Sequence, residues 1–468
     1  MAEQNRTSEV SLFEKVPEDQ RLHWTGIGAI LSGVVSSLSK LMGGGLVAFY
    51  AGTKLGTVAC ILTFFLSIFL TYLVGKITYR EGLPNNVASR AYVFGTKGSI
   101  VGSIIWIFLL VGVLAVGTVQ LGNAIIYYFQ WSETMLVKYV LFSFISLIWI
   151  LCSLFGVKVI AKLNALFVAA LFALLIYMVV SMAMDSSLTT ALTHGIMLPG
   201  VDPAKGFSVA FNTCAMTSGL LALFASDFTR FAKKEKDLFA ISVTGSVFAM
   251  ATYFFGALLT YFGFEKSVQY FMSLGMDQAS ASHAAITNPG VTLVLAVGFF
   301  GLVVICLSQT KVETSNSIGG SNAVSNLAHA GFGVKLKWPT AVIIANCIGL
   351  VFILGGILDK ITLFFSFGSI LTISWCILMI VDYYIVRGML KIGTQGISSL
   401  DEIEAVNWRG VATIFITAIV NAVLYSAGII LVPFVLVVPM TAILYIGFSL
   451  IWRKKVIADE LRRKSIPA

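Results

Sequence analysis

Ser32-Gly33-Val34-Val35-Ser36-Ser37-Leu38-Ser39-Lys40-Leu41-Met42-Gly43-Gly44-Gly45 forms the middle of an apolar segment, Ile27 to Ala51. The segment is long enough to cross a bilayer, since roughly 20 apolar residues suffice, yet it is poorly built to face lipid. Serines, glycines and a lysine stand where hydrocarbon favours leucine. A charge at mid-depth costs about 2.5–3.5 kcal/mol or more. Polar, glycine-broken backbone is tolerated at that depth only where protein or a water-filled cavity covers it. The stretch therefore lines a path or a binding site, which points towards transport.

The composition agrees. Of 468 residues, 58% are hydrophobic and 11% charged, a balance foreign to soluble domains and expected of an all-α integral membrane protein. The first 24 residues are polar and lack an apolar core, so no cleavable signal peptide is expected and the first span acts as its own insertion signal. Apolar runs predict twelve transmembrane helices at 27–51, 56–79, 99–129, 135–155, 159–184, 206–228, 239–263, 290–318, 339–357, 361–386, 409–429 and 431–452. The longer connections are 185–205 and 264–289.

Most of the 31 lysines and arginines fall in alternate connections if both termini are cytoplasmic, among them Arg80, Arg90, Lys97, Lys158, Lys162, Arg230, Lys233, Lys335, Arg387 and the tail from Arg453. External segments then hold only Lys54, Lys205, Lys266 and Lys360. The positive-inside rule thus orients the chain in a cell (inner) membrane. The formal charge of +9 is explained by anionic lipid, the expected macromolecular neighbour, and requires no nucleic acid. The Asn5-Arg6-Thr7 sequon would be idle on that side. The six cysteines lie inside apolar segments without metal-ligand spacing, so no cofactor beyond a coupling Na+ or H+ is expected. Nothing in the sequence bears on oligomeric state.

Intramembrane polarity concentrates in spans one, six and eight. Span six carries Asn212-Thr213-Cys214-Ala215-Met216-Thr217-Ser218-Gly219 and span eight Ser308-Gln309-Thr310-Lys311-Val312-Glu313. Spans one and six are five apart and hence run in opposite directions. This predicts a five-plus-five inverted repeat with broken helices 1 and 6 and a site near the midplane. The organisation becomes a tail over 1–24, a first repeat over 25–184, a second over 206–386, two further helices over 409–452 and a basic tail over 453–468. Close helix packing explains glycine and serine equally well, but not Lys40, Gln309 or Glu313.

Four motifs resemble the nucleobase–cation symporter family, the cytosine and purine permeases. They are Val16-Pro17-Glu18-Asp19-Gln20-Arg21 ahead of Gly43-Gly44-Gly45; Arg90-Ala91-Tyr92-Val93-Phe94-Gly95-Thr96-Lys97-Gly98-Ser99; Ser226-Asp227-Phe228-Thr229-Arg230; and Asp382-Tyr383-Tyr384-Ile385-Val386-Arg387 with Val406-Asn407-Trp408. The resemblance implies cation-coupled import of a small heterocycle by alternating access, without enzymatic chemistry. It also implies a ring stacked between aromatics of spans three and six. The matching places here are Val113 and Ser218, and Trp106 lies about two turns away. An amino acid, amine or ureide is therefore the alternative cargo, and a non-transporting nutrient receptor the alternative role.

The candidate residues follow. Ser36, Ser37, Lys40, Ser218, Gly219 and Gln309 are expected to contact substrate. Carbonyls of Gly33 and Ser36 with the hydroxyls of Ser308 and Thr310 are expected to hold a cation. Intrahelical back-bonding is the competing role for those hydroxyls. Lys311 and Glu313 are the gating or coupling candidates, since intramembrane ionisable groups are functional by default. Lys40 has four readings: contact with an anionic substrate group, replacement of a cation, pairing with Glu313, or snorkelling. Asp227 with Arg230 and Asp382 with Arg387 are expected helix-end ion pairs.

Overall fold

Long apolar helices, which satisfy their own backbone hydrogen bonds in lipid, account for the architecture. The computed structural model describes residues 15–185, 188–397 and 403–464. The sequon, Arg6 and the rest of the tail to residue 14, and the last four residues lie outside them, as do the side chains of Lys158 and Lys162. Among the described residues, ten helices are long and apolar enough to cross a membrane, with Trp24–Val35 and Trp338–Leu354 as shorter apolar helices. Among the described residues no strand forms; the only extended pairing is a bridge between Leu22 and Ala232.

Span one is in two pieces, Trp24–Val35 and a second half that opens Leu38–Glu81. Ser36 (φ −96°, ψ 79°) and Ser37 (φ −141°, ψ 162°) form the break. Gly52 then turns the chain into span two at φ 63°, a left-handed conformation open to glycine at little cost. The twelve spans follow in the expected order, giving the five-plus-five inverted-repeat transporter fold. The first and second spans pack chiefly on Pro203–Thr229 (span six) and Asp237–Ser273 (span seven), and span eight packs on spans three and five.

Three differences from the sequence reading have physical causes. Span six is one continuous helix, Pro203–Thr229, in this conformation. Its hydroxyls bond back along the helix, Thr213 Oγ1 to the Val209 carbonyl (2.7 Å) and Ser218 Oγ to the Cys214 carbonyl (3.0 Å), so its polarity is absorbed without an interruption. The helix of span seven runs on to Ser273, and a further helix, Gln278–Thr287, occupies the 264–289 connection. Span eight belongs to Pro289–Phe332, which Gly298 (φ 60°) divides into a short first helix and a long second one.

The Gly43-Gly44-Gly45 run lets span one approach span seven backbone to backbone. A Cβ on Gly44 would lie 2.0 Å from the Tyr253 carbonyl oxygen, and one on Gly256 would lie 2.1 Å from that of Leu41. Small residues permit such approach in membranes, where van der Waals packing drives helix association. Gly44→Val should destabilise the protein at the top of the about 1–3 kcal/mol range for overpacking. Gly447→Ala, at a position with nothing within 4 Å, should not. Thermal unfolding in detergent compares the two.

The second and fourth motifs meet. Gly95 adopts φ 83° against the 404–407 segment, whose carbonyls accept from Thr96 (2.9 Å) and Lys97 (2.7 Å). Asp382 accepts from Arg387 Nε (2.7 Å) and from Tyr445 Oη (2.7 Å), the expected helix-end pair. The other pair does not form. Asp227 instead accepts from the Asn85 backbone (2.8 Å), and the Arg230 guanidinium lies 4.6 Å from the Phe231 ring centroid. On the same side, Lys76 and Arg80 hold the exposed Glu235 carboxyl below the usual carboxylate range.

Candidate functional site

The break in span one leaves backbone groups without helical partners, and span eight supplies them. Leu38 N–H donates to Gln309 Oε1 (3.0 Å), and Ser308 Oγ donates to the Ser36 carbonyl (3.0 Å). Gln309 Nε2 donates to Glu313 Oε1 (3.1 Å), one helical turn on, and Asn316 Nδ2 to Glu313 Oε2 (3.0 Å). Glu313 is fully buried, and Gly117 of span three makes room for it: a Cβ there would lie 1.9 Å from Glu313 Oε1.

Lys40 stands one turn beyond the break, 6% exposed. Its Nζ donates to Thr217 Oγ1 of span six (3.1 Å). Thr217 shares a hydrogen bond of 2.8 Å with the Tyr253 hydroxyl, which also donates to the Thr213 carbonyl (3.1 Å). Glu313 lies within electrostatic reach of Lys40, but the two form no direct ion pair. The lysine therefore points inward rather than snorkelling. An ammonium, a carboxyl and a side-chain amide, held by spans one, three, six, seven and eight, surround one buried helix N-terminus. Such a set can bind a small solute by its polar edges, because the half-helix N-terminus carries partial positive charge.

The structure brings Ser36, Ser37, Lys40, Gln309, Ser308 and Glu313 together. It turns other candidates away. Ser218 Oγ donates to the Thr63 carbonyl of span two (2.9 Å), and Gly219 faces Thr372 of span ten. Each helical residue advances by about 100°, so the step from 217 to 218 carries the side chain off the site. Thr310 Oγ1 back-bonds to the Cys306 carbonyl (2.7 Å), and as Ser308's second neighbour it faces elsewhere. Gly33 packs against Asn164 of span five, and its carbonyl accepts from the Ser36 backbone (3.3 Å). The four expected sodium ligands thus do not converge in this conformation. Ser37 Oγ pairs locally with Ser39 Oγ (2.9 Å).

Lys311 has its amino group elsewhere again. It lines a cavity of about 840 Å³ beside the first half of span one. Pro84, Arg230 and Lys335 also line it, all in connections where the positive-inside rule leads one to expect the cytoplasm. Sequence reasoning missed Gly117 and Tyr253, since a glycine or tyrosine inside an apolar span carries no signal of its partner. It named Ser218 as the substrate contact where the structure brings Thr217 to Lys40.

Among the described residues, no stacking pair of aromatics surrounds the break. Val113 is buried, and Trp106 packs edge-on against Trp375, ring centroids 5.7 Å apart.

A family model described as permease for cytosine/purines, uracil, thiamine, allantoin matches residues 15–446. No curated protein matches the sequence. Among solved structures, the inward-facing conformation of Mhp1 superposes with a TM-score of 0.71 at 16% identity, covering 99% of each chain. Mhp1, a nucleobase-cation-symport-1 family transporter, in a closed conformation with bromovinylhydantoin bound, gives 0.68 at 15% identity, over 97% of this chain and 99% of that one. A substrate-bound outward-open Na+-coupled sialic acid symporter gives 0.59 at 11% identity, over 99% and 93%. These similarities show a shared transporter fold.

Proposed function

Because the chain belongs to the family of permeases for cytosine and purines, uracil, thiamine and allantoin, we propose that this transporter imports a small nitrogen-containing compound across the cell membrane, coupled to protons. A nucleobase or related heterocycle is the leading cargo. The observation that carries the reading is the buried constellation of Lys40, Gln309 and Glu313 around the Leu38 N–H. Donors and acceptors there match the alternating edges of an amide-rich ring. Lys40 and the Leu38 N–H face its acceptors, and Gln309 with Glu313 faces its N–H groups.

A specific observation favours the ureide or amide alternative within the same site. Val113 and Ser218 stand where an aromatic stack is expected, and Ser218 is committed to Thr63. The cradle therefore selects by hydrogen bonds more than by stacking, and a non-aromatic ureide satisfies it equally.

Proton coupling is favoured over sodium by the state of the candidate ligands. Ser308 donates its proton to the very carbonyl that would bind sodium, and Thr310 faces away. Glu313, with both oxygens held by neutral amides, is the group placed to carry a proton between its two states.

Counterflow in proteoliposomes tests the function. Purified protein loaded with unlabelled cytosine, hypoxanthine, uracil or allantoin should drive entry of the labelled compound; binding without exchange would make it a receptor. In the same vesicles, replacing sodium by choline should leave the initial rate unchanged, whereas strict sodium dependence would overturn the proton assignment.

A further inference from the structure

The cavity next to the site has a charge pattern that the coupled transport of a neutral ring does not require. Six ionisable side chains line it: Arg90, Arg230, Lys311, Lys335, His329 and Asp227. Asp227 is the sole acid, and it already accepts from the Asn85 backbone. Two of the bases are more than nine-tenths buried and incompletely satisfied. Lys311 is 3% exposed and its Nζ has no hydrogen-bond partner; Arg230 is 6% exposed and its Nε and Nη1 have none. They come from different elements, span eight and the end of span six, and both contribute to this cavity wall.

A buried polar group without a partner is costly, and a buried charge more so. Both persist where a ligand supplies the partner. A cleft lined by one sign of charge within low-dielectric walls also concentrates counter-ions of the opposite sign. The cavity, at about 840 Å³, is within the size range of small-molecule sites.

We propose that the cargo is an organic anion, a small nitrogen heterocycle or ureide bearing a carboxylate, and that Lys311 receives that carboxylate while Arg230 adds to the positive charge of the cavity wall. The inference rests on the transport reading above and narrows its substrate class. Lys311 lies two residues from Glu313 on a different face of span eight. The anion thus meets its counter-charge along the exit route, while the ring's amide edges meet Lys40, Gln309 and Glu313. Proton coupling then serves a second purpose: one proton with one monoanion moves no net charge, so an interior-negative potential does not oppose entry.

The test compares matched pairs on the full-length protein: uracil with uracil-6-carboxylate, and hydantoin with hydantoin-5-acetate, by ligand-induced thermal shift and by competition in counterflow. The carboxylates should bind about tenfold tighter or more than their neutral parents, the scale of one charge-assisted hydrogen bond. Lys311→Gln should collapse that ratio towards unity, and Lys311→Arg should retain much of it. Arg230→Gln should lower it less, with an effect that persists at moderate salt because the charge is buried. The wild-type ratio needs no variant to fold. Exchange of neutral heterocycles with no gain from the carboxylate overturns the anion assignment and leaves the transport reading standing. A ratio that survives Lys311→Gln overturns the role of Lys311. Exchange of none of the compounds overturns both readings.

Discussion

Glu313→Gln should abolish proton-driven accumulation while sparing exchange. The isosteric amide is permanently neutral and so mimics the protonated carboxyl. It still fits beside Gly117 and can still accept from Gln309 or Asn316, which hold the carboxyl at 3.1 and 3.0 Å. What it cannot do is release a proton. One pH unit is worth 1.36 kcal/mol per proton, so with potential clamped at zero a two-unit inward gradient supports about 100-fold accumulation at one proton per cargo. The variant should reach a ratio of about 1, as expected when that driving term is removed, with counterflow continuing at a rate comparable to the wild type. Accumulation in Glu313→Gln at the wild-type ratio would remove this residue from the coupling step.

Lys40→Gln should raise the apparent Kd for cargo by about 10- to 150-fold, the range expected for losing a charged hydrogen bond of about 1.5–3 kcal/mol. The ammonium rests on Thr217 at 3.1 Å, a neutral hydroxyl that leaves its charge largely unanswered. Folding should not suffer, because glutamine relieves the burial of that charge while Thr217 keeps its bond to Tyr253. Binding measured by thermal shift, alongside unfolding without ligand, separates the two effects. Unchanged affinity with unchanged stability would leave Lys40 outside the site. Lys40→Gln combined with Glu313→Gln should be non-additive, since the two groups lie within electrostatic reach and coupled sites share their energies.

The twelve spans were legible because apolar length is a bulk property and survives ignorance of tertiary contacts. The break at Ser36–Ser37 was legible because serine and glycine at membrane depth need a reason. The continuity of span six was not: the same small polar residues either open a helix or bond back to it, and only the neighbouring helices decide which. Ser218 and Gly219 were misplaced for that reason, as rotation about the helix axis is invisible without knowing which face is covered. The partner of Lys40 was out of reach because Thr217 is distant in sequence and lies among equally polar residues. Lys311 was recognisable as ionisable, but its unpartnered state depends on which side chains of other helices reach it, and none does.

The hydrogen bond from Leu38 N–H to Gln309 Oε1 means that the empty transporter is already self-liganded. A solute that captures this N–H must evict Gln309, so its affinity is set by a swap of partners rather than by filling a vacancy. A lone halide gains little from the swap, because it can accept from the N–H but has no donor to offer the displaced Gln309 carbonyl. A ring with adjacent donor and acceptor atoms can do both. The break in span one is thus kept in safe custody between cycles, and the carrier discriminates against anions that bring no donor before any gate has moved.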